Sequence, residues 1–358
     1  MGATRVDVAV VGAGPAGATA ARILALNGLR VALIDPLSRP VDRLELIAPG
    51  AQPLLQRLQL GSLLADPDLA QPCPGIRRRW GGAPDHFQDF LRHPLGQGYV
   101  VDRARFDLEL RSRAVAAGAV LTPGRVAGLE RSPREIRLRL SGMASGSLLG
   151  AKVVVDATGR PAMVARKLGA RRMVFSALVA RQSSAEPASA GGHLQVEGES
   201  DGWTYWVEGP GRRTESWRVA PPGGPAGPRF KHRAVEASSA RLDRAAGRRW
   251  LAVGDAAASF DPLTSQGLAN AFSTAMVAAG MVLDGFQADC GAADLYSEAV
   301  ALTHHRSEAV RVAMYGDLAR RESRLARQTA TRPISESPAS GRAARQPADT
   351  SSSATGSA

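Results

Sequence analysis

The chain opens with Val6-Asp7-Val8-Ala9-Val10-Val11-Gly12-Ala13-Gly14-Pro15-Ala16-Gly17, an apolar run that leads directly into three spaced glycines. An uninterrupted apolar strand predicts burial on both faces, as in a parallel sheet covered by helices. Gly12 suits a tight turn, Gly14 lets a pyrophosphate approach the backbone, and Gly17 lets a helix pack closely on the strand. Pro15 and Ala16 fit the first helical turn, where a missing N–H costs nothing. Gly28 closes the helix and Arg30 to Ile34 forms a second strand. Asp35 then stands about 20 residues beyond the turn, where a carboxylate can hold ribose hydroxyls. Strand, turn, helix and acid in this order predict an α/β unit with a dinucleotide at the helix N-terminus.

Two later segments extend that prediction. Val153-Val154-Val155-Asp156-Ala157-Thr158-Gly159 is a second strand ending in glycine. Trp250-Leu251-Ala252-Val253-Gly254-Asp255 is a third, followed by Asp261-Pro262-Leu263-Thr264-Ser265-Gln266-Gly267. A nicotinamide-only protein needs the first segment alone, whereas an extended FAD has use for all three. Asp255 can bond ribityl hydroxyls. Pro262 and Gly267 bracket a turn into a helix near Leu268, whose positive end would face the flavin N1–C2=O edge.

Elsewhere the pattern predicts short helices over 51–64, a helix over 106–117, and strands between Val120 and Val155. There Ile136, Leu138 and Leu140 alternate with Arg137 and Arg139, giving one buried and one wet face. A strand pair over 202–207 and 214–219 turns at Glu208-Gly209-Pro210-Gly211. Trp203 and Tyr205 share one face, which suits either sheet-core packing or the wall of a dry cavity. The Pro/Gly stretch 221–228 reads as a loop, and from Gln328 onward the composition predicts disorder. The fold class expected is α/β: a Rossmann-like three-layer FAD-binding domain (1–45, 95–170 and 235–317) interleaved with a smaller, shortened β-rich substrate domain (46–94 and 171–234), with 328–358 as a tail.

The formal charge of +12 comes almost wholly from arginine, Lys152, Lys167 and Lys231 being the only lysines. These arginines are scattered, with no basic run interleaved with aromatics, so no nucleic-acid partner is expected. Two cysteines, Cys73 and Cys290, make neither a metal pattern nor a disulfide framework. No signal peptide is expected ahead of Val6. The cysteine usage predicts a reduced, cytoplasmic setting, and the most apolar stretch, 275–283, is too short to span a bilayer, so a soluble protein is expected. His304 and His305 read as exposed helix residues, and no metal site is expected.

The glycine segments, together with Tyr99-Val100-Val101-Asp102-Arg103-Ala104-Arg105-Phe106-Asp107 and Ala117-Gly118-Ala119, resemble the FAD-dependent aromatic monooxygenase and halogenase superfamily, with a p-hydroxybenzoate hydroxylase-like fold. Trp80-Gly81-Gly82, Asp89-Phe90-Leu91, Pro94-Leu95-Gly96 and Ala237-Ser238-Ser239-Ala240-Arg241-Leu242 resemble its branch that matures tryptophylquinone amine oxidases and dehydrogenases. The resemblance implies FAD contacts from Gly12, Gly14, Pro15, Ala16, Gly17, Asp35, Arg103, Val126, Asp156, Gly159, Gly254, Asp255, Pro262, Gln266, Gly267 and Leu268. By that likeness Arg103 would contact the phosphates. Arg166 sits where the middle motif usually ends in arginine, though an exposed helical arginine is the competing assignment.

The activity implied is hydroxylation of an indole- or tryptophan-like ring through a flavin C4a-hydroperoxide, the substrate being a small aromatic molecule or a tryptophan of a partner protein. The chemistry belongs largely to the cofactor, and no catalytic side chain is identified. No second dinucleotide motif is present, so electrons would come from transiently bound NAD(P)H or an external flavin reductase. Absence of any lysine between Met1 and Lys152 argues against halogenation, which needs one in that region. Two alternatives stay open: a flavin-dependent reductase of the geranylgeranyl-reductase type, and a degenerate flavoprotein serving as a maturation partner.

Overall fold

The computed structural model describes residues 4–37, 41–80, 85–142, 148–183, 192–199, 201–223, 230–286 and 290–330, with side chains of 230–233, 290 and 317–330 left aside. Five parallel strands form its main sheet, in the order Trp250–Ala252, Leu148–Asp156, Thr4–Val11, Val31–Asp35 and Val120–Pro123. Ala246–Gly247 extends one edge antiparallel, while Ile136–Ser141 and Arg125–Arg131 branch off as an antiparallel meander. Val8 to Val11, Val31 to Ile34 and Val153 to Val155 are almost fully buried, as their unbroken apolar runs require.

The described residues form six α-helices, in chain order α1 (Pro15–Leu26), α2 (Gln52–Arg57), α3 (Arg103–Ala116), α4 (Met163–Lys167), α5 (Gly267–Leu283) and α6 (Cys290–Ala330). Asp102 caps α3, its Oδ1 accepting from the backbone N–H groups of Ala104 and Arg105 at 2.9 and 3.3 Å. Helix α6 runs through Ala330, so the first residues of the expected tail are helical; 331–358 lie outside the described residues. Among the described residues no helix is long and apolar enough to cross a membrane.

A second sheet of seven strands takes the order Phe230–Glu236, Val179–Ser183, Thr214–Ala220, Gly202–Glu208, Leu194–Glu199, Gly75–Trp80 and His86–Asp89. Its apolar face, with Ile76, Trp80, Val196, Trp203, Trp217 and Val219, makes a core separate from that of the main sheet. The segment 46–94 is divided between the two. Leu55, Leu58, Leu60 and Leu63 belong to the main core, whereas Ile76 and Trp80 belong to the second. Helix α2 packs on α5, and Arg22 on α1 donates to the Leu58 carbonyl at 2.8 Å. Part of the 221–228 loop, residues 224–228, lies outside the described residues.

Away from the glycine turns, one histidine departs from its sequence-based assignment. His304 is buried, not exposed, set between Phe175 and Phe260 with Nε2 3.0 Å from the Ser239 hydroxyl. Burial holds its pKa down at about 4, although the neighbouring Glu308 acts the other way. Its neighbour His305 is exposed. Helical periodicity alone could not separate the two, because which of them faces inward depends on where α6 docks.

Candidate active site

The carboxyl ends of the central strands bring the three glycine segments together. Val11 is in register with Asp156 and Ile34, and Asp156 with Ala252, so the chain leaves all four strands at one edge of the sheet. This is the edge at which open α/β sheets bind ligands. The contact between segments is direct. Gly12 has φ +102°, and a Cβ there would fall 2.2 Å from the Ala157 carbonyl oxygen. Gly254 has φ +58°, and a Cβ there would lie 2.8 Å from the Ala16 Cβ.

A cleft of about 550 Å³ runs from these turns to the second sheet. Gly12, Gly14, Pro15, Ala16, Asp35, Arg103, Val126, Gly159, Gly254, Asp255, Pro262, Gln266, Gly267 and Leu268 all line it. Two expected residues do not. Gly17 is buried behind the cleft against Gly12, where close helix packing was foreseen but cofactor contact is not available. Asp156 is fully buried and turned inward. Its Oδ1 accepts from the Thr158 N–H (2.9 Å) and Oγ1 (2.6 Å), and its Oδ2 from the Ala165 N–H (2.7 Å). Burial raises its pKa despite these donors. The carboxylate therefore shapes the Thr158–Gly159 turn and leaves the lining to that turn.

Asp35 is already engaged by its own turn: Oδ2 accepts from the Ala13 N–H and Oδ1 from the Leu37 N–H, each at 2.8 Å. It ties the glycine turn to the second strand while keeping lone pairs for ribose hydroxyls. Arg103 is buried together with Asp107 in an ionic cluster. Its guanidinium makes a fork to both Asp107 oxygens at 2.8 Å and a further bond to Glu45, which also accepts from Arg43 at 2.9 Å. Burial alone would raise the pKa of Glu45, but Arg103 and Arg43 outweigh it and hold the group at about 2.

Arg160, not Arg166, is the arginine of the middle segment that reaches the cleft. Its Nε lies 3.4 Å from Asp255, and it also donates to the carbonyls of Ser238 and Phe260. Arg166 is exposed on α4, with Nη1 3.4 Å from the Pro161 carbonyl. Arg160 directly follows Gly159, so adjacency to the turn was the available signal.

At the far end the wall becomes apolar: Leu46, Ile76, Leu194, Val196, Val207 and Leu263 surround Trp203, Tyr205 and Trp217. Trp203 is both core and lining, since its indole N–H donates to the Tyr315 hydroxyl at 2.8 Å. Tyr315 in turn donates to Asp261 at 3.0 Å, and Asp261 also accepts from the Leu263 N–H at 3.0 Å. Burial raises the pKa of Asp261. This chain links α6 through the aromatic wall to the turn that starts α5, with Gln266 as the α5 N-cap. No lysine lines the cleft among the described residues.

The cleft suits FAD. Its narrow end is glycine backbone at the N-terminus of α1, Gly14 lies open to the cleft, and the N-terminus of α5 meets it further along. Comparisons with known proteins agree. The lycopene cyclase protein family profile matches residues 7–179. Menaquinone reductase of Mycobacterium tuberculosis is 27% identical over 318 residues, covering 77% of this chain and 76% of that protein. The 6-methylpretetramide 4-monooxygenase of Streptomyces rimosus is 32% identical over 186 residues, 46% of this chain and 40% of that one. For several such curated relatives, including a digeranylgeranylglycerophospholipid reductase at 42%, the chain spans less than half of their length. Among solved structures, a peptidyl tryptophan dihydroxylase essential for tryptophylquinone cofactor biogenesis superposes with TM-score 0.71 at 23% identity, over 89% of this chain and 79% of that one, a likeness of fold. The chain is similar to FAD-dependent oxidoreductases, monooxygenases and reductases among them, and FAD is its cofactor.

Proposed function

We propose that this protein is a monooxygenase that hydroxylates an electron-rich aromatic ring of the indole or tryptophan kind. The observation that carries the reading is a single cleft that starts in phosphate-binding turns and ends in a wall of Trp203, Tyr205 and Trp217. When bound, FAD supplies two-electron redox chemistry and reaction with O2. The chain's own residues then have three tasks. The turn over residues 12–16 and Asp35 would hold the adenosine and pyrophosphate end. Asp255 and Arg160 would take the ribityl region, and the α5 N-terminus at Gln266–Leu268 would offer a positive dipole end to the ring. The apolar wall excludes water from the reacting atoms.

The substrate is a small aromatic molecule or a tryptophan presented by a partner protein, with electrons from NAD(P)H bound transiently or from a separate reductase. The relationship to a monooxygenase and the fold likeness to a tryptophan dihydroxylase both support this reading. A second reading, reduction of a quinone or prenyl double bond, is favoured by the long alignment with menaquinone reductase.

Oxygen dependence separates the two. FAD-loaded protein reduced without air and mixed with 18O2 and indole-ring probes should yield a product carrying one labelled oxygen, and no product under nitrogen. Turnover of a quinone or polyprenyl acceptor under nitrogen, with no label incorporated in air, would establish the reductase. Retained FAD with neither activity would leave the binding-partner alternative.

A further inference from the structure

Three arginines in a row, Arg77-Arg78-Arg79, lie on the strand Gly75–Trp80 near one edge of the second sheet. In sequence they look like one solvated basic run. The pleat separates them, because successive side chains point to opposite faces. Arg77 and Arg79 point away from the cleft and meet carboxylates: Arg77 and Arg79 reach Asp85 at 3.7 and 3.0 Å, and Arg79 reaches Glu197 at 3.6 Å. Arg78 shares the other face with Ile76 and Trp80, and with Ile76 it lines the apolar end of the cleft.

Arg78 differs in its partners from the other cleft cations withdrawn from water; Arg125, which also lines the cleft, is exposed. Arg43 and Arg103 are neutralised by Glu45 and Asp107, and Arg160 by Asp255. Among the described residues no carboxylate pairs with Arg78. Its one partner is the neutral Gln88 amide oxygen, 2.7 Å from Nη1, and its buried Nε has no partner. Burial, with no opposing charge, lowers its pKa from the usual arginine value, yet it stays cationic at any ordinary pH. A cation half-withdrawn from water beside Leu194 and Val196 is unfavourable unless an anion joins it. A guanidinium also presents donors in a fork that matches a carboxylate.

We propose that Arg78 recognises an anionic group on the substrate, and that the substrate is a small aromatic acid whose carboxylate pairs with this guanidinium while its ring lies along the wall of Trp203, Tyr205 and Trp217. This deepens the aromatic-hydroxylation reading and rests on it for the identity of the ring. It also narrows that reading to a free acid, as opposed to an uncharged quinone or an uncharged indole.

The test titrates FAD-loaded protein at pH 7 with indole-3-acetate and 1-naphthoate, each against its uncharged primary amide, by calorimetry and by perturbation of the flavin absorption. For wild-type protein at least one acid should bind on the order of tenfold or more tightly than its amide, the scale of a charge-assisted contact. Arg78→Gln should abolish that ratio with FAD content unchanged, and Arg78→Lys should keep part of it. Equal binding of acids and amides, no saturable binding of either acid, or a ratio that survives Arg78→Gln would each overturn the proposal. The wild-type acid-to-amide ratio stands on its own should a variant fold poorly. If the acid binds as expected but gains no oxygen in the 18O2 experiment, hydroxylation fails and Arg78 recognition remains; the converse result separates them the other way.

Discussion

A Gly14→Val protein is expected to fold as the wild type does and to purify without colour. Gly14 lines the cleft in an extended conformation, and a Cβ there would meet no protein atom within 4 Å, so the fold tolerates a side chain. That same volume adjoins the N-terminus of α1, where a pyrophosphate must lie against bare backbone. Loss of that contact should weaken FAD binding by at least about 100-fold, or roughly 3 kcal/mol. Gly17→Ala should do the reverse. A single methyl at Gly17 would sit 1.8 Å from the Gly12 carbonyl oxygen, a backbone atom with no room to yield. Overpacking of this severity should destabilise the protein by about 3 kcal/mol or more. Urea unfolding of the apoproteins, alongside FAD titration, separates the two. A yellow Gly14→Val protein, or a Gly17→Ala protein as stable as the wild type, would contradict the geometry.

Arg103→Ala should cost about 3–5 kcal/mol of stability, because it leaves Glu45 and Asp107 together without their shared buried cation. The pH dependence follows from Glu45. Its pKa in the fold is about 2, below the ordinary 4.5. A carboxylate depressed in this way adds stability that is fully present above pH 4.5 and is lost as pH falls toward 2. The full depression corresponds to about 3 kcal/mol at about 1.4 kcal/mol per unit. Glu45→Gln should therefore flatten the wild-type stability profile between pH 4.5 and 2, while Arg103→Ala lowers it chiefly at neutral pH. Chemical denaturation at a series of pH values measures both. An Arg103→Ala variant within about 1 kcal/mol of wild type at pH 7 would show that the cluster is solvated and not buried.

How much of this could be read in the sequence depended on whether local rules decide the outcome. The glycine turns were legible because each fixes its own backbone. Their convergence was legible because three apolar strands ending in glycine belong on one edge of a parallel sheet. Asp156 was misplaced because the letter is the same whether a carboxylate faces a ligand or caps the turn after it, and three donors within nine residues turned it inward. Arg78 was hidden between Arg77 and Arg79, since only strand pairing tells which arginine the pleat sends to the cleft. His304 and the core residues of 46–70 depend on how distant elements dock, and spacing along the chain does not record that. Trp203 and Tyr205 were placed on one face by alternation alone. That this face meets the glycine turns, with Trp217 beside it, is a property of the two sheets together.

The central claim is most directly tested by counting the flavin that folded protein takes up. Apoprotein incubated with excess FAD, freed of unbound cofactor and then denatured should release one FAD per chain, identified by mass, after showing a bound-flavin visible spectrum. Folded protein that saturates with no flavin, or that prefers FMN and so has no use for the adenosine end of the cleft, would contradict the convergence of residues 12–16, 157–160 and 254–268 on one extended nucleotide.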